Sequence, residues 1–164
     1  MKQRDKVAMT PAEAHELLAS QHKVQLATNG QDGFPHLVTM YYALLDGQIA
    51  FWTYRTSQKA RNLERDGRVS CLVEVGEQYF DLKGVLVQGT ARRVEDPAAV
   101  LEIGRRITAV FSDPVAEYVE QTARKRFGYA VEPGRVISWD HAKLLAQPPD
   151  VSTSGSSGTR DPRR

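Results

Sequence analysis

Residues 51–70 read FWTYRTSQKARNLERDGRVS. The run Ile49-Ala50-Phe51-Trp52-Thr53-Tyr54 is apolar and β-branched enough for a strand, and the polar turn Arg55-Thr56-Ser57 follows it. A helix is predicted from Gln58-Lys59 through Leu63, with Ser57 as its N-cap and Thr56 able to share that role. A strand, a hydroxyl-rich turn and a helix start bearing a lysine together make an anion site. The first amides of a helix lack intrahelical acceptors, and the helix dipole favours negative charge there. Many capped helices carry Ser and Lys in this way and bind nothing, so the surrounding chain has to decide the reading.

Upstream, Thr10-Pro11-Ala12-Glu13 is a helix start with capping-box spacing and Pro in the first turn. That helix runs to about Ser20, with Ala14, Leu17 and Leu18 on its apolar side. Strands are predicted at 24–28, 35–45 and 48–54, joined by turns at Asn29-Gly30-Gln31-Asp32-Gly33 and at Asp46-Gly47. Downstream of the central helix, strands are predicted at 68–75 and 79–94, with Gly84 and Gly89 marking bulges or sharp coiling. Asp96-Pro97 opens a helix to about Val110, and a second follows Asp113-Pro114 and ends near Arg126 or Phe127. A last strand covers Arg135-Val136-Ile137-Ser138-Trp139. Short turns imply antiparallel pairing. Six strands with glycine kinks fit a small barrel, and the absence of G-x-G-x-x-G argues against a doubly wound sheet.

The chain has 164 residues, enough for one domain with a sizeable core. We divide it into a flexible N-terminus, 1–9, a barrel domain, 10–147, and a disordered Ser-, Gly- and Pro-rich tail, 148–164. The net charge of +2 sits on the ends. Lys2, Arg4 and Lys6 outweigh Asp5 at the start, and Arg160, Arg163 and Arg164 outweigh Asp161 at the finish. The body is therefore slightly acidic, and no nucleic-acid partner is expected. No apolar run approaches the ~20 residues that span a bilayer, and the N-terminus lacks the apolar segment of a signal peptide, so a cytoplasmic protein is expected. The single cysteine, Cys71, excludes an internal disulfide, and the four histidines lack metal-ligand spacing, so no metal is expected.

Four segments together resemble the pyridoxamine 5′-phosphate oxidase-like split β-barrel proteins, and within them the actinobacterial branch that uses the 5-deazaflavin coenzyme F420. They are Gly33-Phe34-Pro35-His36, Trp52-Thr53…Ser57-Gln58-Lys59-Ala60-Arg61-Asn62-Leu63, Val87-Gln88-Gly89-Thr90-Ala91 and Arg135 to Leu144. The resemblance covers about residues 12–145. It implies a mainly β fold with helices (α+β), a six-stranded antiparallel split β-barrel of the FMN-binding type. It also implies a homodimer with the cofactor in the groove between subunits.

By the same resemblance, Lys59 contacts the cofactor phosphate with Ser57 and Gln58, Trp52 and Thr53 line the cofactor, and His36, Val38 and Thr39 lie on the strand facing its ring and ribityl chain. Flavin-binding relatives often carry arginine at the position of Gln58, which removes one phosphate charge here. His36 stands where relatives have a basic or amide residue. On a strand, residues 36 and 38 face one side and 39 the other, so a site using both needs backbone contacts or a bulge. Arg55, Arg61, Arg92 and Arg93 are candidates for a groove holding an anionic cofactor tail. Tyr41, Tyr42, Tyr54, Trp52 and Trp139 are candidate pocket aromatics.

The expected activity is hydride transfer between reduced F420 and a small unsaturated or conjugated substrate. In such enzymes the cofactor carries the chemistry, and no nucleophile elbow or P-loop is present to suggest another. The alternatives are an FMN-dependent oxidase or reductase on the same fold, or a non-catalytic protein that stores a flavin or deazaflavin.

Overall fold

The computed structural model describes residues 3–111 and 116–146. Five helices, α1 (Gln3–Val7), α2 (Pro11–Ser20), α3 (Gln58–Arg65), α4 (Pro97–Thr108) and α5 (Ala116–Ala123), surround seven strands. These are β1 (Lys23–Asn29), β2 (Pro35–Tyr41), β3 (Ala43–Leu45), β4 (Gln48–Tyr54), β5 (Arg68–Val75), β6 (Lys83–Val94) and β7 (Arg126–Asp140), and a 3-10 turn, His141–Leu144, closes the described chain. The strands form one antiparallel sheet in the order β2-β1-β5-β6-β7-β4-β3, curled into a half-barrel. The fold is α+β, as the sequence predicts.

Seven strands replace the expected six because the run 35–45 is broken at Tyr42. The Tyr42 amide donates to the His22 carbonyl at 3.0 Å, and its hydroxyl donates to the buried Leu18 carbonyl at 2.6 Å. Tyr42 is thereby tied to the end of α2 instead of to a neighbouring strand. The halves on either side pair at opposite edges, β2 with β1 and β3 with β4. One continuous stretch thus supplies both edges of the curled sheet.

β7 is the other correction. The sequence places its start at Arg135 and assigns Arg126 to a helix end, whereas the strand begins at Arg126 and runs fifteen residues. The alternation of Phe127, Tyr129 and Val131 toward the core carries it, and α5 ends at Ala123. The bulge expected near Gly89 is present, as a register shift between Gln88 and Gly89 that leaves Gly134 as the extra residue of β7. The partner strand passes so close that a Cβ on Gly89 would lie 2.1 Å from the Glu132 carbonyl oxygen. Gly84 makes no bulge; the Trp139 ring lies over it.

The helix starts follow their sequence signals. Thr10 and Glu13 form both hydrogen bonds of a capping box, and Lys143 binds the Glu13 carboxylate at 2.7 Å, which holds the Glu13 carboxyl down at about 2. Residues 1–9, expected to be flexible, include α1. The expected disordered tail, 148–164, lies outside the described residues.

The core has two parts. The half-barrel interior packs Val24, Leu26, Phe51, Val73, Val85 and Val131 with Leu17 and Leu18 of α2. Cys71 belongs to it, and burial pushes its thiol up to about 12, so it behaves as a small apolar side chain. A smaller cluster on the opposite face of β4 sets Ala50 and Trp52 against Ile103, Ile107 and Val119 of α4 and α5. No helix among the described residues is long and apolar enough to cross a membrane.

Candidate functional site

The turn after β4 and the first turn of α3 are built by Ser57. Its hydroxyl accepts from the Ala60 amide at 3.2 Å and lies 3.0 Å from the Thr53 hydroxyl, while its own amide donates to the Tyr54 carbonyl. The amides of Gln58 and Lys59 fall in the first turn, where a helix offers them no acceptor. Lys59 is half-buried and has no ion pair among the described residues. Burial, and then the nearby positive charge of Arg126, hold its ammonium below the usual lysine range. Two hydroxyls and two free amides therefore meet at this helix start, and Lys59 brings an uncompensated cation to its first turn.

Gln58 is engaged elsewhere. Its amide donates to the Asn62 side-chain oxygen at 2.9 Å, and Asn62, fully buried, donates to the Thr28 hydroxyl at 2.9 Å. Thr28 sits opposite His36 in the β1–β2 register. His36 and Val38 face the half-barrel interior, and the His36 Nδ1 is buried with no hydrogen-bond partner. This chain of contacts links α3 to β2, so His36, Gln58 and the Ser57–Lys59 turn share one end of the half-barrel.

The remaining expected residues are separated from that group. The β1–β2 register runs without a bulge, so Thr39 points to the outer face, where its hydroxyl donates to Gln25 at 2.8 Å. Thr53 and Trp52 lie on opposite faces of β4. Trp52 is packed against Gly104 of α4, where a Cβ would come within 2.3 Å of its ring. Of the candidate aromatics, Tyr42 is committed to Leu18 and Trp139 to Gly84, while Tyr41 and Tyr54 remain exposed.

The four candidate groove arginines also part company. Arg55 and Arg93 lie over the Phe127 ring, at 5.2 and 3.7 Å from its centroid, whereas Arg92 pairs with Glu132 on the surface and Arg61 is exposed on α3. Sequence reasoning missed Arg126, which stacks on Trp52 and Tyr54. The apolar alternation of 127, 129 and 131 was the available signal. It also missed the buried Asn62–Thr28 pair, for which a lone Asn on a helix gives no sign. No cluster of potential metal ligands occurs among the described residues.

Residues 10–140, which carry this half-barrel and its α3 turn, match the family described as pyridoxamine 5′-phosphate oxidase. The chain belongs to that family. A search of curated proteins gave no significant match. Among solved structures, the family fold is shared with the conserved hypothetical protein Rv2991 of Mycobacterium tuberculosis, at 41% identity and a TM-score of 0.82, covering 95% of this chain and 99% of that one. The heme storage protein HutZ of Vibrio cholerae has the same fold at 18% identity and a TM-score of 0.63, over 80% of this chain and 97% of that one. An FAD-binding protein of Mesorhizobium loti does so at 18% identity and a TM-score of 0.61, over 80% and 94%. At 18% identity these two show the fold alone.

Proposed function

We propose that this protein binds a phosphate-bearing flavin-type cofactor, coenzyme F420 in the first place, at the α3 turn, and transfers a hydride between it and a small unsaturated or conjugated substrate. The observation that carries the reading is Lys59: half-buried, without an ion pair among the described residues, and in the first turn of the helix that Ser57 caps. A half-buried cation without a partner is disfavoured, and a phosphate offsets that. The orphaned His36 Nδ1 at the same end of the half-barrel offers a further polar contact.

In this reading Lys59 and Ser57 hold the phosphate with the first-turn amides, and Thr53 fixes the Ser57 hydroxyl. Gln58 brings no charge, and its amide is already bonded to Asn62, which favours the deazaflavin over FMN. When bound, the deazaflavin supplies the hydride chemistry. The protein's part is to hold it, orient it and keep water from it.

We further propose a homodimer with the cofactor between subunits. One register row of the outer face runs Thr39, Gln25, Leu72, Leu86, Ile137 across five strands, and Leu37 beside it is 65% exposed. The apolar part of that row, Leu72, Leu86 and Ile137, suits a second copy of the chain.

Titration of the full chain with F420 and, separately, FMN, followed by cofactor fluorescence, tests the reading. Tighter binding of F420, weakened at least about tenfold by Lys59→Ala, is the expected result. Preference for FMN, lost in the same variant, moves the assignment to the flavin enzyme. Tight F420 binding with no reoxidation of the reduced cofactor by conjugated substrates leaves a storage protein. Binding of neither cofactor overturns the site.

A further inference from the structure

Beyond the α3 turn, a separate cleft opens where the end of β6 and the start of β7 meet α4 and α5. It has a volume of about 520 Å³ and is walled by Arg55, Arg93, Arg124, Arg126, Glu95 and Glu120. Its floor is apolar, formed by Val94, Val100, Leu101 and Phe127. The two carboxylates are drawn to other partners or spent within the wall. Glu120 pairs with Arg105 outside the cleft, and Glu95 with Arg93. The positive charge of Arg55, Arg124 and Arg126 is left without a carboxylate among the described residues.

Arg126 is the pointed feature. Its guanidinium carbon lies 4.2 Å from the Tyr54 ring centroid and 4.8 Å from that of Trp52, and its Nε is buried with no hydrogen-bond acceptor. Stacking on aromatic rings occupies the faces of a guanidinium and leaves its in-plane N–H donors. A planar, two-oxygen acceptor lying in that plane is what such donors match. Arg55 is fixed beside it, because its amide donates to the Lys125 carbonyl at 3.2 Å and its Nε to the Arg126 carbonyl at 3.5 Å. Neither arginine is assigned to the cofactor phosphate in the reading above.

We propose that this cleft is a second ligand site, which takes an amphipathic carboxylate. The carboxylate sits on Arg126 and Arg55, and the hydrocarbon body lies on the Val94 and Leu101 part of the floor. The proposal is independent of the cofactor assignment. A carboxylate with an apolar body could be a substrate or an effector, and both place the same chemistry in the cleft.

Isothermal titration of the full chain with octanoate tests it, with 1-octanol and acetate as probes lacking the charge or the tail. The expected result is one saturable octanoate site per chain, at least tenfold tighter than for either control. Arg126→Gln is expected to weaken octanoate at least tenfold, and Arg126→Lys not to rescue it, because an ammonium lacks the in-plane fork. Arg55→Gln, a surface change that leaves the stacked guanidinium in place, is expected to weaken it severalfold. Lys59→Ala, which removes a charge that Arg126 feels, is expected to weaken it far less than Arg126→Gln. Four results each overturn the proposal: no saturable octanoate binding, equal binding of 1-octanol, indifference to both arginine substitutions, or loss in Lys59→Ala, which would put the carboxylate at the α3 turn. FMN, which has no carboxylate tail to reach Arg55 or Arg93, reports on the α3 turn alone, so either site can fail without the other.

Discussion

At Lys59, burial and the neighbouring charge of Arg126 both disfavour the ammonium, so its pKa lies below the ordinary 10.5. The shift has two consequences of opposite sign. Without a ligand, the protonated lysine costs stability wherever it is charged, and the cost fades as pH rises through the lowered folded pKa toward the unfolded one. For an anionic cofactor the charged form is the one that binds. Affinity is therefore expected to fall on the alkaline side at a pH below that of an ordinary lysine, and Lys59→Arg is expected to keep binding there. A pH series of cofactor dissociation constants for both proteins checks this; identical alkaline limbs would remove Lys59 from the site. His36, by contrast, contributes an orphaned ring nitrogen, whose acceptor or donor role a ligand would set.

At the scale of elements, the crossing of β6 and β7 at Gly89 is the least forgiving point. A Cβ there meets a backbone oxygen at 2.1 Å, and backbone cannot swing aside as a side chain can. Gly89→Ala is expected to cost about 1–3 kcal/mol, read as a lowered urea midpoint. Gly134→Ala, whose Cβ would sit 3.4 Å from its nearest neighbour, is expected to cost under about 1 kcal/mol.

Elements with local signals were legible in the sequence. The capping box at Thr10, the Ser57 cap and the Asp46-Gly47 turn, both of whose residues have positive φ, are written in adjacent residues. The break at Tyr42 was not legible, because the apolar run Met40 to Leu45 continues through it and the cause is a carbonyl 24 residues away. The same holds for the candidate site. Ser57 and Lys59 could be read from one turn, whereas the link from Gln58 through Asn62 and Thr28 toward His36 spans three elements. Arg126 is not legible in the same way, because local cues make its strand a helix end and its stacking partners come from β4.

For the whole molecule, the outer face of the sheet carries the clearest prediction. If the Leu72–Leu86–Ile137 row is covered by a second copy, the chain runs in light-scattering chromatography at twice its 18.3 kDa mass. Leu72→Glu and Ile137→Glu, both on the partly exposed outer face, are expected to shift it to the monomer without unfolding it. A monomeric wild-type chain at micromolar concentration would remove the proposed interface, and with it the shared cofactor groove.

The sheet order has a consequence for how the protein is made. β7, the last strand in chain order among the described residues, is inserted between β6 and β4. Until it emerges, the nascent chain holds two unjoined pieces, β2-β1-β5-β6 and β4-β3, with the flanks of β6 and β4 bare. Such open flanks are templates for mispairing. Synthesis must reach residue 140 before they close, and a ribosome that stalls short of it leaves both pieces for chaperones to shield.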